Sequence, residues 1–256
     1  YKDIDFLKKM IDKYNFKLSV YAMLMPSEEN FAFAEKNGIY NYKNLTIRSF
    51  KVVGDGALGS RGAFLKKAYS DAHDHYGVLT TPIELMKRVA AVAEKKGYQM
   101  NTHAIGDSTN RIMLEIYKGI FEVNRDHRWR IEHAQIVAPE DFKLFGKSSI
   151  VPSVQPTHAT SDMYWAEERV GKDRIKHSYA YKKILQKAGL VALGTDFPIE
   201  EVNPMLTFHS AVARKDLNNY PANGFQMENA LTREQTIRGM TIWAAKANRM
   251  EKQVGS

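Results

Sequence analysis

Residues 98–133 read YQMNTHAIGDSTNRIMLEIYKGIFEVNRDHRWRIEH, and this stretch contains the pattern that decides the fold. The apolar residues of Tyr98–His103 and Arg128–His133 predict two short strands, and the spacing of apolar residues in Asp107–Val123 predicts a helix between them. Strands and helices that alternate in this way are typical of a parallel sheet or barrel with helices on the outside. The stretch therefore indicates the α/β class.

The same alternation extends over most of the chain. Further strands are predicted at Lys17–Leu24, Leu45–Val53, Ile150–Val154 and Leu190–Thr195, and helices at residues 2–14, 83–96, 174–188, 204–215 and 232–247, with a short one near 139–145. Thr81 is the predicted N-cap of the helix at 83–96, Pro82 its first residue and Gly97 its C-terminal stop. Since no repeat, low-complexity tract or linker interrupts the pattern, we expect one domain over residues 1–256.

The composition is that of an ordinary globular protein, with 44% hydrophobic and 26% charged residues. No apolar run approaches the roughly 18 residues of a membrane-spanning helix. The chain has no cysteine, so a metal ion would need histidine, carboxylate or a modified lysine as ligands. No leader precedes the first predicted helix, so a targeting signal would lie outside this chain and localisation is not predicted.

The net charge of +8 raises the question of a nucleic-acid partner. The lysines stand mostly in pairs on amphipathic stretches and are mixed with acidic residues, as on solvated helix faces. No compact basic stripe interleaved with aromatic residues is present, and we expect no nucleic-acid binding. The glycine-rich stretch Gly54–Gly62 lacks the Gly-Lys-Ser/Thr ending of a P-loop, and it predicts a tight turn rather than a nucleotide site.

Polar side chains stand at or just beyond the carboxyl ends of four predicted strands. They are Thr102-His103, Glu132-His133, Gln155–His158 and Thr195-Asp196. Loops after parallel strands converge at one rim, where the chemistry of such folds is placed. Imidazole and carboxylate are ligands that zinc accepts, and an open coordination position activates water. The pattern predicts a metal site at this rim, although a single histidine there is commonly a structural hydrogen-bonding residue.

Five segments in a fixed order resemble amidohydrolase family 3, the group that contains the YtcJ-like proteins and the N-substituted formamide deformylases. The segments are KVVGDGALGSRGA (Lys51–Ala63), THAIGD (Thr102–Asp107), RIEHAQ (Arg130–Gln135), QPTH (Gln155–His158) and GTDFP (Gly194–Pro198). The resemblance covers the chain from about residue 45 to the end. It implies a distorted (β/α)8 TIM barrel, present as an incomplete barrel of about strands 3 to 8 without the first strands and the family's small β-domain.

The resemblance also assigns site residues. His103 and His133 match the metal-binding histidines of the fifth and sixth barrel strands, and Asp196 matches the eighth-strand aspartate that contacts the metal and serves as general base. Lys51 matches a lysine that related enzymes carboxylate to bridge two metal ions; the alternative is an ordinary strand-edge lysine. A substrate-facing segment after the seventh strand is matched by His158, Asp162 and Trp165, for which plain loop structure is the alternative.

One feature of the superfamily is missing from this sequence. Members carry a His-x-His pair after the first barrel strand, but no histidine precedes residue 45. His73-Asp74-His75 has the right spacing, yet no apolar strand leads into it, and we interpret it as an exposed loop. We therefore expect a shortened piece of a protein of roughly twice this length. Its open sheet would expose unpaired edges, which favours pairing with another copy or poor solubility.

The resemblance implies a metal-dependent hydrolase with one or two divalent ions, zinc being the expected one. Its small-molecule substrate would contain a C–N bond of an amide, a formamide or a related group, cleaved by metal-activated water with Asp196 as base. Hydrolysis of esters or cyclic amides at the same site is an alternative. A catalytically inactive fragment or scaffold of the same fold is another, because the first-strand histidines are absent.

Overall fold

Seven strands form a single sheet in the computed structural model, which describes residues 2–121, 126–147 and 149–255. Six of them run parallel to their neighbours in the order β1 (Val20–Leu24), β3 (Leu45–Val53), β4 (Gln99–Ala104), β5 (Trp129–His133), β6 (Ile150–Val154) and β7 (Ala192–Leu193). The remaining strand, β2 (Tyr40–Tyr42), pairs antiparallel with the first residues of β3. Apart from β2, the sheet is therefore an open parallel one, as predicted.

Helices follow the strands and cover the sheet. They are α1 (Lys2–Tyr14), α2 (Glu28–Asn37), α3 (Ile83–Lys96), α4 (Asp107–Ile120), α5 (Pro156–Asp162), α6 (Ala166–Arg174), α7 (Tyr181–Ala188), α8 (Pro204–Ala213), α9 (Arg233–Met240) and α10 (Ile242–Ala247), with 3₁₀ turns at Phe142–Lys147, Ile175–His177 and Met227–Asn229. None of the described helices is long and apolar enough to cross a membrane.

The core lies between the central strands and the helices that pack on them. Phe50, Met100, Trp129 and Ile131 of β3, β4 and β5 are almost completely buried. Tyr117 of α4 is buried too, and its hydroxyl donates to the backbone oxygen of Met100 at 3.1 Å. Strands buried on both faces are a property of parallel sheets covered by helices.

Several predicted boundaries agree with the structure. The strands β3 and β6 and the helix α3 have the predicted limits, and α3 ends at Gly97 in the left-handed conformation (φ 67°). The helix predicted over Asp107–Val123 is α4, which ends at Ile120 because Phe121 is extended (φ −68°, ψ 119°); residues 122–125 lie outside the described part of the chain.

Other predicted boundaries were wrong. Thr81 does not cap α3, because its hydroxyl donates to the backbone oxygen of Val53 at 2.6 Å, and Pro82 stands before the helix rather than in it. The helix predicted at 174–188 begins only at Tyr181. The strand predicted at Leu190–Thr195 is reduced to Ala192–Leu193, where it pairs with β6. The helix predicted at 232–247 is broken at Thr241, whose ψ is −95°.

Candidate active site

The register of the sheet places Lys51, His103 and Glu132 on one face. His103 lies opposite Val53 of β3 and Glu132 of β5. Paired residues of parallel strands point to the same side, and so do residues two apart in one strand, so Lys51 shares the face of Val53. The positive charge of Lys51 accordingly acts on the pKa values of both His103 and Glu132.

His133 joins this group through an unusual backbone conformation. It follows Glu132 directly, and strand alternation alone would point it to the opposite face. At the end of β5 its φ is 74°, a left-handed value that is rare for residues other than glycine. The imidazoles of His103 and His133 lie with ring centroids 4.5 Å apart. Strained backbone of this kind is concentrated at functional sites.

His158 extends the pair to a row of three imidazoles. It is the third residue of α5, which begins with Pro156 shortly after β6 ends. Its ring stacks on that of His133 with centroids 5.7 Å apart and an angle of 24° between the planes. The row therefore crosses the carboxyl ends of three neighbouring strands, β4, β5 and β6.

The three imidazoles are neutral at physiological pH. Burial lowers the pKa of His103 to about 4, and the charge of Lys51 acts in the same direction. Burial also lowers the pKa values of His133 to about 3 and of His158 to about 4, with the neighbouring rings adding to the effect. Neutral imidazole is the form that binds metal ions.

The free nitrogens of the row are available for a ligand. Nε2 of His103 and Nε2 of His158 are buried, and neither has a hydrogen-bond partner among the residues that the structure describes. In His133, Nδ1 donates to Gln155 Oε1 at 2.8 Å, which leaves its Nε2 as the nitrogen that carries the lone pair. A histidine whose second nitrogen is held by an oxygen acceptor is the usual arrangement at metal sites. Gln155 was not predicted as a site residue, although it stands in the QPTH segment.

Two carboxylates lie at the His158 end of the row. Nε2 of His158 is 3.9 Å from Asp196 Oδ2 and 3.8 Å from Glu200 Oε1. Burial raises the pKa of both carboxyl groups, and the pKa of Asp196 is lowered in part by Lys51. Asp196 has a left-handed φ of 58°, and the Ser161 hydroxyl donates to Glu200 at 2.7 Å. Glu200 was missed because it lies in a loop, away from any predicted strand end.

Asp55 is a second carboxylate that sequence reasoning missed. It is fully buried after β3, and it accepts backbone N–H groups from Phe64 (2.9 Å), Ile105 (3.0 Å) and Gly106 (2.8 Å). Its Oδ1 is 3.5 Å from Nε2 of His103. Burial raises the pKa of Asp55 to about 6, although these hydrogen bonds lower it. An acid between two glycines just after a strand was the available signal.

A buried ion pair lies beneath the imidazole row. Arg130 Nε donates to Glu132 Oε1 at 2.7 Å, and both side chains are 9% exposed. Burial raises the pKa of Glu132, but Arg130, Lys51 and a hydrogen bond from Ser153 together hold it at about 2. Glu132 is therefore ionised, and its negative charge faces the same rim as Lys51 and His103.

The predicted substrate-facing residues are not all in one place. Asp162 Oδ2 accepts from the Tyr179 hydroxyl at 2.8 Å and from Gln135 Nε2 at 3.1 Å. Burial raises the pKa of Asp162 to about 6. Trp165 instead packs on the glycine-rich loop, where a Cβ added to Gly59 would lie 3.2 Å from the indole ring. His158 belongs to the imidazole row, and the backbone N–H of Trp165 donates to the backbone oxygen of Asp162 at 3.0 Å.

The chemical types of these side chains suit a divalent metal ion, because neutral imidazoles with unpaired nitrogens stand beside carboxylates. Within residues 2–121, 126–147 and 149–255, however, no three His, Asp or Glu side chains are close enough together to hold a metal ion. His73 and His75 are exposed, and Nε2 of His75 hydrogen-bonds to the backbone oxygen of Arg61 at 2.9 Å. This loop conformation agrees with the interpretation of His73-Asp74-His75 from the sequence.

Comparison with known proteins decides the family. The model of the amidohydrolase family matches residues 1–256. The chain belongs to the amidohydrolase family. This amidohydrolase chain is 34% identical over 219 residues to the protein LONG AFTER FAR-RED 3 of Arabidopsis thaliana, and 33% identical over 207 residues to YtcJ of Bacillus subtilis (strain 168). The resemblance seen in the sequence is thereby confirmed.

Solved structures show the same fold. An uncharacterized metal-dependent hydrolase from Pyrococcus furiosus superposes with a TM-score of 0.87 at 26% identity, and one from Pyrococcus horikoshii OT3 with 0.87 at 28%. Each comparison covers 100% of this chain and 51% of the other. The parallel sheet of this amidohydrolase is thus a half-barrel of the predicted TIM-barrel type.

The chain spans part of the length of its relatives. The matched regions cover 83% of this chain and 36% of the Arabidopsis protein, and 81% of this chain and 39% of YtcJ. An adenosine deaminase from Xanthomonas campestris with bound zinc, at 16% identity and a TM-score of 0.60, shares the fold alone.

Proposed function

We propose that this chain carries the metal centre and the proton-transfer carboxylate of a hydrolase that cleaves a C–N bond in an amide, a formamide or a related group. One observation carries the proposal: three neutral imidazoles form a row across the carboxyl ends of β4, β5 and β6, and the row ends at Asp196. The two Pyrococcus hydrolases with which the chain superposes are described as metal-dependent, which supports the same chemistry.

The metal ligands in this proposal are Lys51, His103, His133 and Asp196, which would hold one or two divalent ions, with zinc the best match to imidazole and carboxylate. When bound, such an ion polarises the substrate carbonyl and lowers the pKa of a water molecule. Reaction of the deprotonated Lys51 amine with carbon dioxide, with loss of a proton, would give a carbamate whose oxygens could serve as metal ligands. Gln155 would keep His133 in the tautomer whose Nε2 is free to hold such an ion.

Asp196 is the proposed general base. Its side chain is 36% exposed, so water and substrate can reach it, while burial raises its pKa toward a value useful for proton transfer. Asp196 takes the proton of the attacking water as the new C–O bond forms. It returns this proton to the leaving nitrogen as the C–N bond breaks. In this proposal His158, whose Nε2 is 3.9 Å from Asp196 Oδ2, contacts the substrate together with Asp162 and Trp165.

The test is the Asp196→Asn variant, assayed on a panel of formamides, linear amides, cyclic amides and esters in buffer that contains zinc. Turnover of the best substrate should fall by about 10²- to 10⁴-fold. The melting temperature should stay close to that of the wild type, and the variant should retain much of its zinc through the remaining ligands. Asp173→Asn, at a side chain that is 98% exposed, is the matched control and should retain activity. Near-normal turnover by Asp196→Asn would contradict the role of this residue.

A catalytically inactive binding or scaffold domain is the second candidate. It is favoured by the lack of a ready three-residue metal cluster among the described residues. This alternative predicts purified protein without bound metal that hydrolyses no member of the panel. Metal-dependent hydrolysis of any member, abolished in Asp196→Asn, would exclude it.

A further inference from the structure

Two arginines, Arg48 and Arg249, meet at the amino-terminal ends of the strands, opposite the imidazole row. Arg48 Nη2 donates to the backbone oxygen of Gly97, which precedes β4, at 3.5 Å. Arg249 Nη2 donates to the backbone oxygens of Asp126 and, at 3.2 Å, of His127, which precede β5. Since β4 and β5 are paired strands, about 4.8 Å apart, the two guanidinium groups are neighbours at this end of the sheet.

Irregular backbone accompanies both side chains. Arg48 is the extra residue of a β-bulge in β3, because the residues on either side of it pair with the consecutive residues Ala22 and Met23 of β1. Arg249 follows α10 with a φ of 59°, a left-handed value that is rare for residues other than glycine. Bulges and strained backbone are concentrated where a side chain is aimed at a functional site.

The Nε–H groups of both arginines are buried donors without an acceptor. Neither Nε has a hydrogen-bond partner in the part of the chain that the structure describes. Burial lowers the pKa of Arg249, and the positive charge of Arg48 lowers it further. Buried polar groups are nearly always satisfied, and like charges repel, so this arrangement indicates an anion that accepts from both groups.

The nearby carboxylates do not fill this role. Arg48 forms no ion pair within residues 2–121, 126–147 and 149–255. Arg249 Nη1 is 3.8 Å from Asp126 Oδ2, which is too far for a hydrogen bond. The carboxylates around the two groups have other partners, which are Arg128 for Asp126 (2.6 Å) and Glu251 (2.7 Å), and His127 for Glu94 (2.9 Å).

We propose that Arg48 and Arg249 bind a phosphate group, either inorganic phosphate or the phosphate of a small molecule, at a site separate from the candidate active site. Phosphate oxygens can accept from both Nε–H groups at once, and the planar guanidinium group matches phosphate in geometry. The bound anion would also offset the repulsion between the two cations. The site does not depend on the proposed hydrolase function, because it lies at the opposite ends of the strands.

Calorimetric titration of the whole chain with inorganic phosphate and with methyl phosphate, in chloride buffer of constant ionic strength, tests the proposal. The wild type should bind at least one probe, and the tighter one identifies the free ion or a phosphate monoester as the ligand. Arg48→Met should weaken binding by at least about tenfold, and Arg48→Lys, which keeps the charge but lacks Nε–H, by a smaller factor. Arg238→Met, at an exposed arginine of α9, is the matched control and should bind as the wild type.

Urea denaturation checks that Arg48→Met is folded and gives a second readout. Phosphate should raise the free energy of unfolding of the wild type but not of Arg48→Met. Without phosphate the variant should be at least as stable as the wild type, because it loses the repulsion with Arg249 and only one long hydrogen bond. The proposal is overturned if the wild type binds neither probe, if Arg48→Met binds with wild-type affinity, or if phosphate stabilises both proteins equally.

Discussion

The two ends of the candidate site are built differently. The histidine end, around His103 and His133, is buried, and its rings are kept neutral by desolvation. The carboxylate end, around Asp196 and Glu200, is partly open, and two acidic side chains stand there within 4 Å of one imidazole. His158 belongs to both ends, because it stacks on His133 and faces the carboxylates.

This difference suggests that the two ends have different functions. Desolvated, neutral imidazoles, of which His133 is held in one tautomer by Gln155, suit metal binding, which requires unprotonated nitrogen. A half-open pair of carboxylates suits proton transfer, which requires access to water and substrate. The same difference affects how much a substitution changes stability. An unpaired charge lowers the free energy of unfolding more in the buried histidine end than in the partly open carboxylate end.

The largest effect on stability is expected from Arg130→Met at the histidine end. The variant leaves Glu132 buried beneath the imidazole row without its main counter-ion. The free energy of unfolding should fall by about 3–5 kcal/mol, measured by urea denaturation. Removing the charge of Glu132 as well, in Arg130→Met/Glu132→Gln, should restore much of the loss. If the free energy of unfolding of Arg130→Met lies within about 1 kcal/mol of the wild-type value, the Arg130–Glu132 pair is not shielded from water.

Asp55→Asn should have the next largest effect. One amide oxygen cannot replace both carboxylate oxygens, so at least one of the N–H groups of Phe64, Ile105 and Gly106 loses its acceptor. We expect a loss of about 1–3 kcal/mol in the free energy of unfolding, and weaker metal binding because the loop beside His103 loosens. Glu84→Gln, at an exposed ion pair with Lys87, is the control and should cost less than about 1 kcal/mol.

A smaller, pH-dependent effect is expected at Asp162, on the open side. The folded-state pKa of Asp162 is about 6, against an ordinary value of 3.8. The folded protein therefore binds this proton more tightly, and its free energy of unfolding falls as pH rises from about 4 to 6. Asp162→Asn should lack this decline and gain on the order of 2 kcal/mol relative to the wild type across that interval. Parallel stability curves for the two proteins would contradict the raised pKa.

The central part of the fold could be predicted because local pattern and tertiary environment agree there. In β3 and α3 the apolar periodicity is clear, and Gly97 marks the helix end with a conformation suited to glycine. The sequence between residues 156 and 174 lacks such a regular spacing of apolar residues, and the helices α5 and α6 were not predicted there. Their formation depends on packing against neighbouring elements, which a single sequence does not display.

The residues of the candidate site also fall into those that the sequence could predict and those that it could not. His103, His133 and Asp196 could be named because they follow strands and lie in segments that resemble a known family. Glu200 and Asp55 could not, since a loop residue has no fixed direction until the chain folds around it. The left-handed backbone that turns His133 toward His103 is likewise invisible in the sequence, where strand alternation indicates the opposite face.

The most direct test is the metal content of the purified chain, measured by elemental analysis for zinc, manganese and iron after purification without chelators. The account predicts near-stoichiometric metal in the wild type and in a His73→Ala/His75→Ala control, and its loss in His103→Ala/His133→Ala. Wild-type protein that stays free of metal after incubation with zinc, or a His103→Ala/His133→Ala variant that binds as much metal as the wild type, would contradict it.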